Sequence, residues 1–256
     1  MPYPTLEDIP IESIKFSKMY VIDNKARVDI VQGNGKKMIF SLCSDCQEPY
    51  EARYPLDSVR DDATDGTRRG QKIVIGESAC RDALACLDEA VVQAALANAA
   101  DWFKSKVPIT EDMIRSRYQN IVFKETEADE HSCMKFKVKT EGAKFPTKLH
   151  RVLDDGKILE LKGRLSDMEM KGSKLAPILS SFGLWFMGGK DPSKFGVSFQ
   201  AEEIVVTPGQ GNEPLSNFSS KRKIDAVASM QYGSEEEESK FVKLENDQEE
   251  NEGDAM

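Results

Sequence analysis

The sequence has few of the residues and motifs that enzymes use for catalysis. It contains only two histidines, His131 and His150, and no GxSxG, HExxH or Walker-type glycine loop. Residues 172–174 (GSK) are similar to the end of a phosphate loop, but the first glycine and the following helix are missing. We therefore expect a binding protein that is not an enzyme and that needs no cofactor.

Long hydrophobic runs are also missing. No apolar stretch approaches the ~20 residues that span a bilayer. The start, MPYPTLEDIP, has neither the basic nor the apolar part of a secretory signal. These absences predict an intracellular protein without a membrane partner.

Cysteine is present in an odd number, five, which together with an intracellular location predicts reduced thiols. Cys43 and Cys46 have the spacing of half a zinc ribbon. A structural zinc site needs four ligands, and no second pair has the expected two-residue spacing. Reduced thiols are the favoured interpretation, and a metal site at Cys43 and Cys46 is the alternative.

Negative charge is concentrated at one end of the chain. Residues 233–256 hold ten Asp/Glu and two Lys, a charge of -8 out of the total of -9, so the rest of the chain is nearly neutral. This segment has few apolar residues and is predicted to be a disordered acidic tail after a linker over 208–232. Such a polyanion would compete with DNA for a cationic groove. The basic cluster at 221–223 (KRK) is a short candidate nuclear localisation signal.

Alternating apolar residues dominate the remainder. After an N-terminal arm over 1–10, strands are predicted over 11–42, a loop insertion over 43–79, a helical insertion over 80–121 with Ser78 as the N-cap, and further strands over 133–207. The predicted fold class is α+β and mainly β, with an OB-like antiparallel β-barrel over 11–207.

The segment 171–208 is predicted to form two long strands. Strict alternation in the first strand places Phe182, Leu184 and Phe186 on one face, expected to be the core, and Trp185 on the other. An aromatic residue on the polar face of a strand suits base stacking. The alternative is that Trp185 packs under the helix over 80–106.

Basic residues are dense between 135 and 174. Lys135, Lys137 and Lys139 alternate along one strand, which places their ammonium groups about 7 Å apart on one face, a spacing that suits a phosphate backbone. The alternative is a solvated edge strand protected by lysines. The other candidate nucleic-acid-binding cations are Lys148, Arg151, Lys162, Arg164, Lys171 and Lys174.

The layout resembles a viral protein family. A meander, an inserted helix, a lysine-rich strand, the sequence KGSKL at 171–175 and the strand VSFQAEEIVV at 197–206 are similar to the single-stranded DNA-binding replication proteins of short-tailed coliphages and of nucleocytoplasmic large DNA viruses. The resemblance covers 11–42 and 80–207 in outline. It implies an OB fold that binds single-stranded DNA with little sequence preference and a tail that contacts replication proteins. Phage members end in an aromatic residue, whereas this chain ends in Met256.

These observations predict a non-enzymatic, non-sequence-specific single-stranded DNA-binding protein of viral replication or recombination. The expected partners are single-stranded DNA and replication proteins, with a homodimer left open. The expected location is a cytoplasmic viral factory or the host nucleus, with packaging in the virion also left open. The alternatives are a viral structural or protein-interaction component without a nucleic-acid groove, and a zinc-stabilised transcription accessory factor.

Overall fold

The computed structural model describes residues 3–42, 50–52, 68–104, 108–140, 142–153, 157–161, 171–188 and 192–207. Within these ranges the chain is mainly β with few helices, as predicted. The strands are β1 (Lys15–Phe16), β2 (Tyr20–Ile22), β3 (Lys25–Val28), β4 (Ile30–Val31), β5 (Ile39–Ser41), β6 (Tyr50–Glu51), β7 (Arg68–Ile75), β8 (Tyr118–Gln119), β9 (Val122–Phe123), β10 (Ser132–Lys139), β11 (Lys148–Val152), β12 (Ile158–Leu161), β13 (Lys174–Met187) and β14 (Lys194–Thr207). The α-helices are α1 (Ala79–Ala97), α2 (Ala99–Phe103) and α3 (Glu111–Arg117).

A hairpin of two long strands, β13 and β14, lies at the centre of the sheet. Each strand has 14 residues, and the pairing runs from Lys174 opposite Thr207 to Met187 opposite Lys194. Strand β14 carries aromatic and β-branched residues at Phe195, Val197 and Phe199, and β13 is rich in apolar residues that are buried along most of its length, both of which favour strands inside a sheet. The prediction of two long strands in this segment is confirmed.

Shorter strands line both edges of the hairpin. The free edge of β13 pairs antiparallel with β6, β5 and β3, and β2 continues beyond β3. The free edge of β14 pairs parallel with β8, β10 and β11, and β7 continues beyond β10. Among the described residues these pairings form an open, mixed arrangement. They correct the prediction of an antiparallel barrel, because β14 has parallel partners and the described strands form no closed barrel, and the OB-like fold is not confirmed. Alternation in a sequence reports which face is buried, and it carries no information on the direction or order of neighbouring strands.

The two faces of the hairpin differ in character. The core face carries almost completely buried apolar side chains: Leu175, Leu179, Leu184, Phe195, Phe199, Ala201, Ile204 and Val206. Helix α1 contributes Leu84, Leu87 and Val91 to the same cluster. Removing this apolar surface from water is the main force that holds the helices against the sheet.

The opposite side of the hairpin is called the outer face here. It is defined by Ser180, Phe182 and Trp185 of β13 and by Gly196, Ser198 and Gln200 of β14. Laterally paired residues of neighbouring strands place their side chains on the same side of a sheet. The outer face therefore continues onto β3, β7 and β10.

The predicted helical insertion over 80–121 contains α1, α2 and α3. Ser78 accepts a hydrogen bond from the backbone N–H of Arg81 at 3.3 Å, as an N-cap does. The helix predicted to reach residue 106 is instead interrupted at Asn98. The Asn98 side chain donates to the carbonyl of Ala94, which also accepts the last helical bond, from the backbone N–H of Asn98, and the backbone of Asn98 (φ -111°, ψ 19°) leaves the helical conformation.

The structure differs from the loop insertion predicted over 43–79. Strands β6 and β7 lie within this range, and β7 pairs with β10 over eight residues. The sequence RRGQKIVI of β7 begins with charged residues, so its first half lacks an apolar alternation that would indicate a strand.

Several predictions fall outside the described residues: those on Cys43, Cys46, Lys162, Arg164, the linker over 208–232 and the tail over 233–256. In the part of the chain that the structure describes, no helix is long and apolar enough to cross a membrane.

A half-buried carboxylate connects α1 to β8. Asp88 Oδ1 accepts hydrogen bonds from the hydroxyl of Tyr118 at 2.5 Å and from the backbone N–H of Ile121 at 3.1 Å. Burial raises the pKa of Asp88 to about 6, although both hydrogen bonds act to lower it. The folded state therefore holds a proton on Asp88 more tightly than the unfolded state does.

The stability contributed by this proton should be present below the unfolded pKa of 3.8 and lost as the pH rises through about 6. We expect Asp88→Asn, which keeps an acceptor for Tyr118, to remove this loss. Relative to the variant, the wild type should lose about 2 kcal/mol of unfolding free energy between pH 4 and 7, at ~1.4 kcal/mol per pKa unit, because Asp88 of the unfolded chain is already more than half ionised at pH 4.

Urea unfolding at several pH values measures this difference. Asp88→Ala is the control, because it deletes the acceptor and should be less stable than Asp88→Asn at every pH. Parallel pH profiles for the wild type and Asp88→Asn would contradict the prediction.

Candidate nucleic-acid interface

Strand β13 carries an extra residue, Phe182, relative to β14. Ser181 pairs with Phe199 and Gly183 pairs with Ser198, so Phe182 has no partner in the register. A bulge of this kind reverses the alternation of side chains beyond it. The outer face consequently holds Ser180 before the bulge, Phe182 at the bulge, and Gly183 and Trp185 after it.

This bulge corrects the predicted faces of the strand. Leu184 is buried in the core and Phe186 packs against it, as expected. Phe182 was expected beside them and instead lies half-buried on the outer face. Strict alternation assumes one residue for each position of the partner strand, and the extra residue breaks that assumption.

Gly183 makes the bulge possible. Its φ is +92°, and a Cβ atom at this position would lie 2.5 Å from the carbonyl oxygen of Val28. Strand β3 therefore approaches β13 more closely than any other residue at 183 would allow. The close approach places Arg27, the neighbour of Val28, in register with Trp185.

Three cationic side chains converge on the ring of Phe182. From its centroid, Arg27 Cζ lies at 4.7 Å, Arg68 Cζ at 5.0 Å and Lys137 Nζ at 5.0 Å. These residues come from β3, β7 and β10, which approach the hairpin from its two opposite edges. Each cation–π contact contributes roughly 0.5–1 kcal/mol or more. The ring thus offsets part of the repulsion among the three charges.

The charges are close enough to affect one another. Partial burial, followed by the charges of Arg27, Arg68, Lys25 and Lys135, lowers the pKa of the Lys137 ammonium. A nearby anion would compensate both the burial and the repulsion. This group of cations is therefore well suited to bind phosphate.

Trp185 lies in a row of residues that crosses the outer face. It pairs with Arg27 on one side and with Gly196 on the other, and Arg27 pairs in turn with Tyr20. A Cβ atom at Gly196 would lie 3.0 Å from Cζ2 and 3.2 Å from Cε2 of the indole, so the ring extends over the glycine. An indole held against a glycine of the neighbouring strand offers a flat surface for an unpaired base.

The alternative position for Trp185, beneath the helix over 80–106, does not hold. The buried side chains of α1 join the core-face cluster, on the other side of the hairpin. Trp185 is half-buried on the outer face, whereas the second tryptophan, Trp102, is buried in the core.

The predicted lysine stripe lies on β10, but its members have different surroundings. Lys137 contacts Phe182, and Lys135 is one of the charges that act on Lys137. Lys139 Nζ instead lies 2.8 Å from a carboxylate oxygen of Glu202. The three lysines of the stripe thus differ: Lys137 contacts Phe182, Lys135 acts on Lys137 through its charge, and Lys139 is one partner of an ion pair.

Two of the predicted cations on β11 lie on opposite faces. Lys148 Nζ is 3.7 Å from Glu203 on the outer face. Arg151 pairs in register with Val206, which is a core-face residue, so Arg151 does not share the surface of Lys148.

Lys171 and Lys174 lie at the far end of the hairpin and are exposed. Lys174 is 11 residues from Trp185 along β13, a distance of about 36 Å at ~3.3 Å per residue. Of the predicted site residues within the described ranges, the structure brings together Lys135, Lys137 and Trp185.

Arg27, Arg68 and Phe182 are residues of this surface that the sequence pattern does not reveal. The available signal is Gly183, because a glycine inside an apolar strand indicates a bulge or a close backbone approach. Nothing in the spacing of Arg27 and Arg68 shows that they meet at residue 182. In the described ranges, no group of three or more His, Cys, Asp or Glu side chains is placed to hold a metal ion.

The bulge can be tested with two glycines. Gly183→Ala combines a positive φ with a backbone clash against Val28, whereas Gly35→Ala has a φ of +78° with no atom within 4 Å of the new Cβ. We expect Gly35→Ala to lose about 1 kcal/mol of unfolding free energy, and Gly183→Ala to lose about 2 kcal/mol more. Urea unfolding of both variants measures this, and equal losses would show that the close approach of β3 is not a constraint.

Three comparisons place the chain among known proteins. No protein-family model matches it, and no curated protein matches it. Among solved structures it has a weak similarity to the single-stranded DNA-binding protein from bacteriophage Enc34 in complex with ssDNA. The identity is 9% and the TM-score 0.35, over 75% of this chain and 94% of that chain.

Proposed function

We propose that this chain is a non-enzymatic protein that binds single-stranded DNA across the outer face with little sequence preference. The observation that carries the proposal is the convergence of Arg27, Arg68 and Lys137 on Phe182, with Trp185 in register beside Arg27. Cations for phosphates and an aromatic surface for bases thereby lie on one side of one sheet.

The phosphates would contact the cations around Phe182. Contacts to phosphates carry no sequence information, so affinity depends on charge and salt. Partial burial of Lys137 favours this role, because an anion there meets less competition from water. Phe182 would act as a positioning residue that holds the cations together.

The bases would contact Trp185. Stacking needs an unpaired base, and every base has a π-face, so this contact selects single strands over duplex without reading sequence. Ile22 and Met187 are large apolar side chains exposed at the same end of the sheet, and they extend the surface that bases could cover.

The acidic segment over 233–256 would compete with DNA for these cations and contact replication proteins when DNA displaces it. Its charge of -8 and its linker support this role. The motif resemblance at 171–175 and 197–206 supports a place in viral replication or recombination, and it favours an OB-related origin for the sheet.

The first test measures the charge contribution. We expect Arg27→Ala to weaken the binding of an oligo(dT) and to make the slope of log affinity against log salt shallower by about 0.7, the value for one phosphate on a single strand. Arg81→Ala is the matched control, because Arg81 lies on α1, which packs on the core face.

Fluorescence anisotropy at several salt concentrations measures both quantities. Arg81→Ala should bind like the wild type. Equal slopes for Arg27→Ala and Arg81→Ala, or equal wild-type affinity for single strands and duplex, would contradict the proposal and favour a protein-interaction component.

The second test uses the two tryptophans. Oligo(dT) should quench the emission of Trp185 by stacking and leave that of buried Trp102 unchanged. Trp185→Phe should therefore abolish the quench. Trp185→Ala should weaken binding by about 1–3 kcal/mol, the usual value for one stacked base. A quench that survives in Trp185→Phe would place the bases elsewhere.

A further inference from the structure

A second bulge lies in β14 at Glu202. Leu179 pairs with Ala201 and Ile178 pairs with Glu203, so Glu202 is the extra residue. By the same reversal of alternation as at Phe182, Glu202 and Glu203 both belong to the outer face. One bulge of the hairpin thus adds an aromatic ring to this face, and the other adds the carboxylate of Glu202 next to that of Glu203.

Glu202 is held by donors from three strands and by Lys37. Its carboxylate oxygens lie 2.8 Å from Lys139 Nζ and 3.5 Å from Lys37 Nζ. They also accept hydrogen bonds from Ser180 Oγ at 2.5 Å and from Gln200 Nε2 at 3.3 Å. Burial opposes ionisation, but the hydrogen bonds from Lys139 and Ser180 and the charges of Lys139 and Lys37 together outweigh it and lower the pKa of Glu202 to about 2.

The carboxylate occupies the place that a phosphate would need next to Lys139. The Lys139 side chain is 13% exposed, so little of it remains available to a ligand. A DNA phosphate would have to displace a carboxylate that belongs to the same sheet and is therefore always present. Lys139 therefore lies where a phosphate could bind, but Glu202 already neutralises its positive charge.

We propose that Glu202 sets one end of the DNA path on the outer face by holding Lys139 and Lys37 in ion pairs. The path would run over Trp185, the Phe182 cluster and Lys137, and it would end at Gln200, the residue in register with Lys137. This inference rests on the proposed binding of single-stranded DNA.

The decisive variant removes the pair without changing the net charge. In Lys139→Gln/Glu202→Gln we expect an affinity for oligo(dT) at least equal to that of the wild type and a salt slope that is no shallower, because Lys37, the second partner of Glu202, can then only add a phosphate contact. If Lys139 were itself a phosphate ligand, the slope would become shallower by about 0.7 and affinity would fall about fivefold at 0.1 M salt.

Glu202→Gln alone releases the lysines and keeps an amide oxygen as acceptor for Ser180. We expect the salt slope to steepen by about 0.7 for each lysine that gains a phosphate, with affinity rising about fivefold for each at 0.1 M salt. The occluded length of DNA per protein should also increase. Asp82→Asn is the matched control for net charge, because it removes one carboxylate from α1, whose buried side chains join the core-face cluster, and it should change affinity less than twofold.

Equal tightening by Glu202→Gln and Asp82→Asn would overturn the inference in favour of a general effect of net charge. Loss of binding in the double variant would overturn it in favour of Lys139 as a ligand, provided that its thermal unfolding matches that of the wild type. These outcomes are distinct from those that test the proposed function. The Arg27→Ala and Trp185 measurements would refute binding of single-stranded DNA to the outer face, whereas the Glu202 variants would refute only the proposed end of the DNA path.

Discussion

The contact between Gly183 and Val28 is the constraint on which the outer face depends. A backbone carbonyl 2.5 Å from where a Cβ would stand leaves room for glycine alone. Because β3 can come this close, Arg27 reaches both the register of Trp185 and the ring of Phe182. The same glycine allows the positive φ that completes the bulge. Packing on the core face holds the hairpin in place, and the contact between Gly183 and Val28 positions Arg27 beside Trp185 and Phe182 on the outer face.

The two bulges give the outer face its division of charge. At Phe182 the extra residue adds a π-face that attracts cations from β3, β7 and β10. At Glu202 the extra residue adds a carboxylate that takes up Lys139 and Lys37. Lys137 and Lys139 alternate along β10 but have different roles. The bulge in β14 turns Glu202 towards Lys139, whereas Lys137 contacts Phe182. Charge density along a sequence overestimates the cationic surface wherever such internal pairing occurs.

Much of the architecture could be predicted from the sequence, because it depends on local preference. Ser78 caps α1 because its hydroxyl accepts from the N–H of Arg81. The long strands of 171–208 follow from their apolar, β-branched and aromatic residues. Strand directions and the partners of β14 could not be predicted in the same way. They depend on contacts between segments far apart in the chain. A periodic pattern indicates which side chains are buried, but it does not indicate which strand pairs with which.

The sequence alone determined the absence of known catalytic motifs, the concentration of acidic charge over 233–256, the alternation of Lys135, Lys137 and Lys139, and the presence of Trp185 on a strand. Tertiary structure decided which of these residues meet. It placed Phe182 outside the core, joined it to Arg27 and Arg68, and paired Lys139 with Glu202. The physical reason is that a bulge is a mismatch between two strands, so neither strand carries it in its own period.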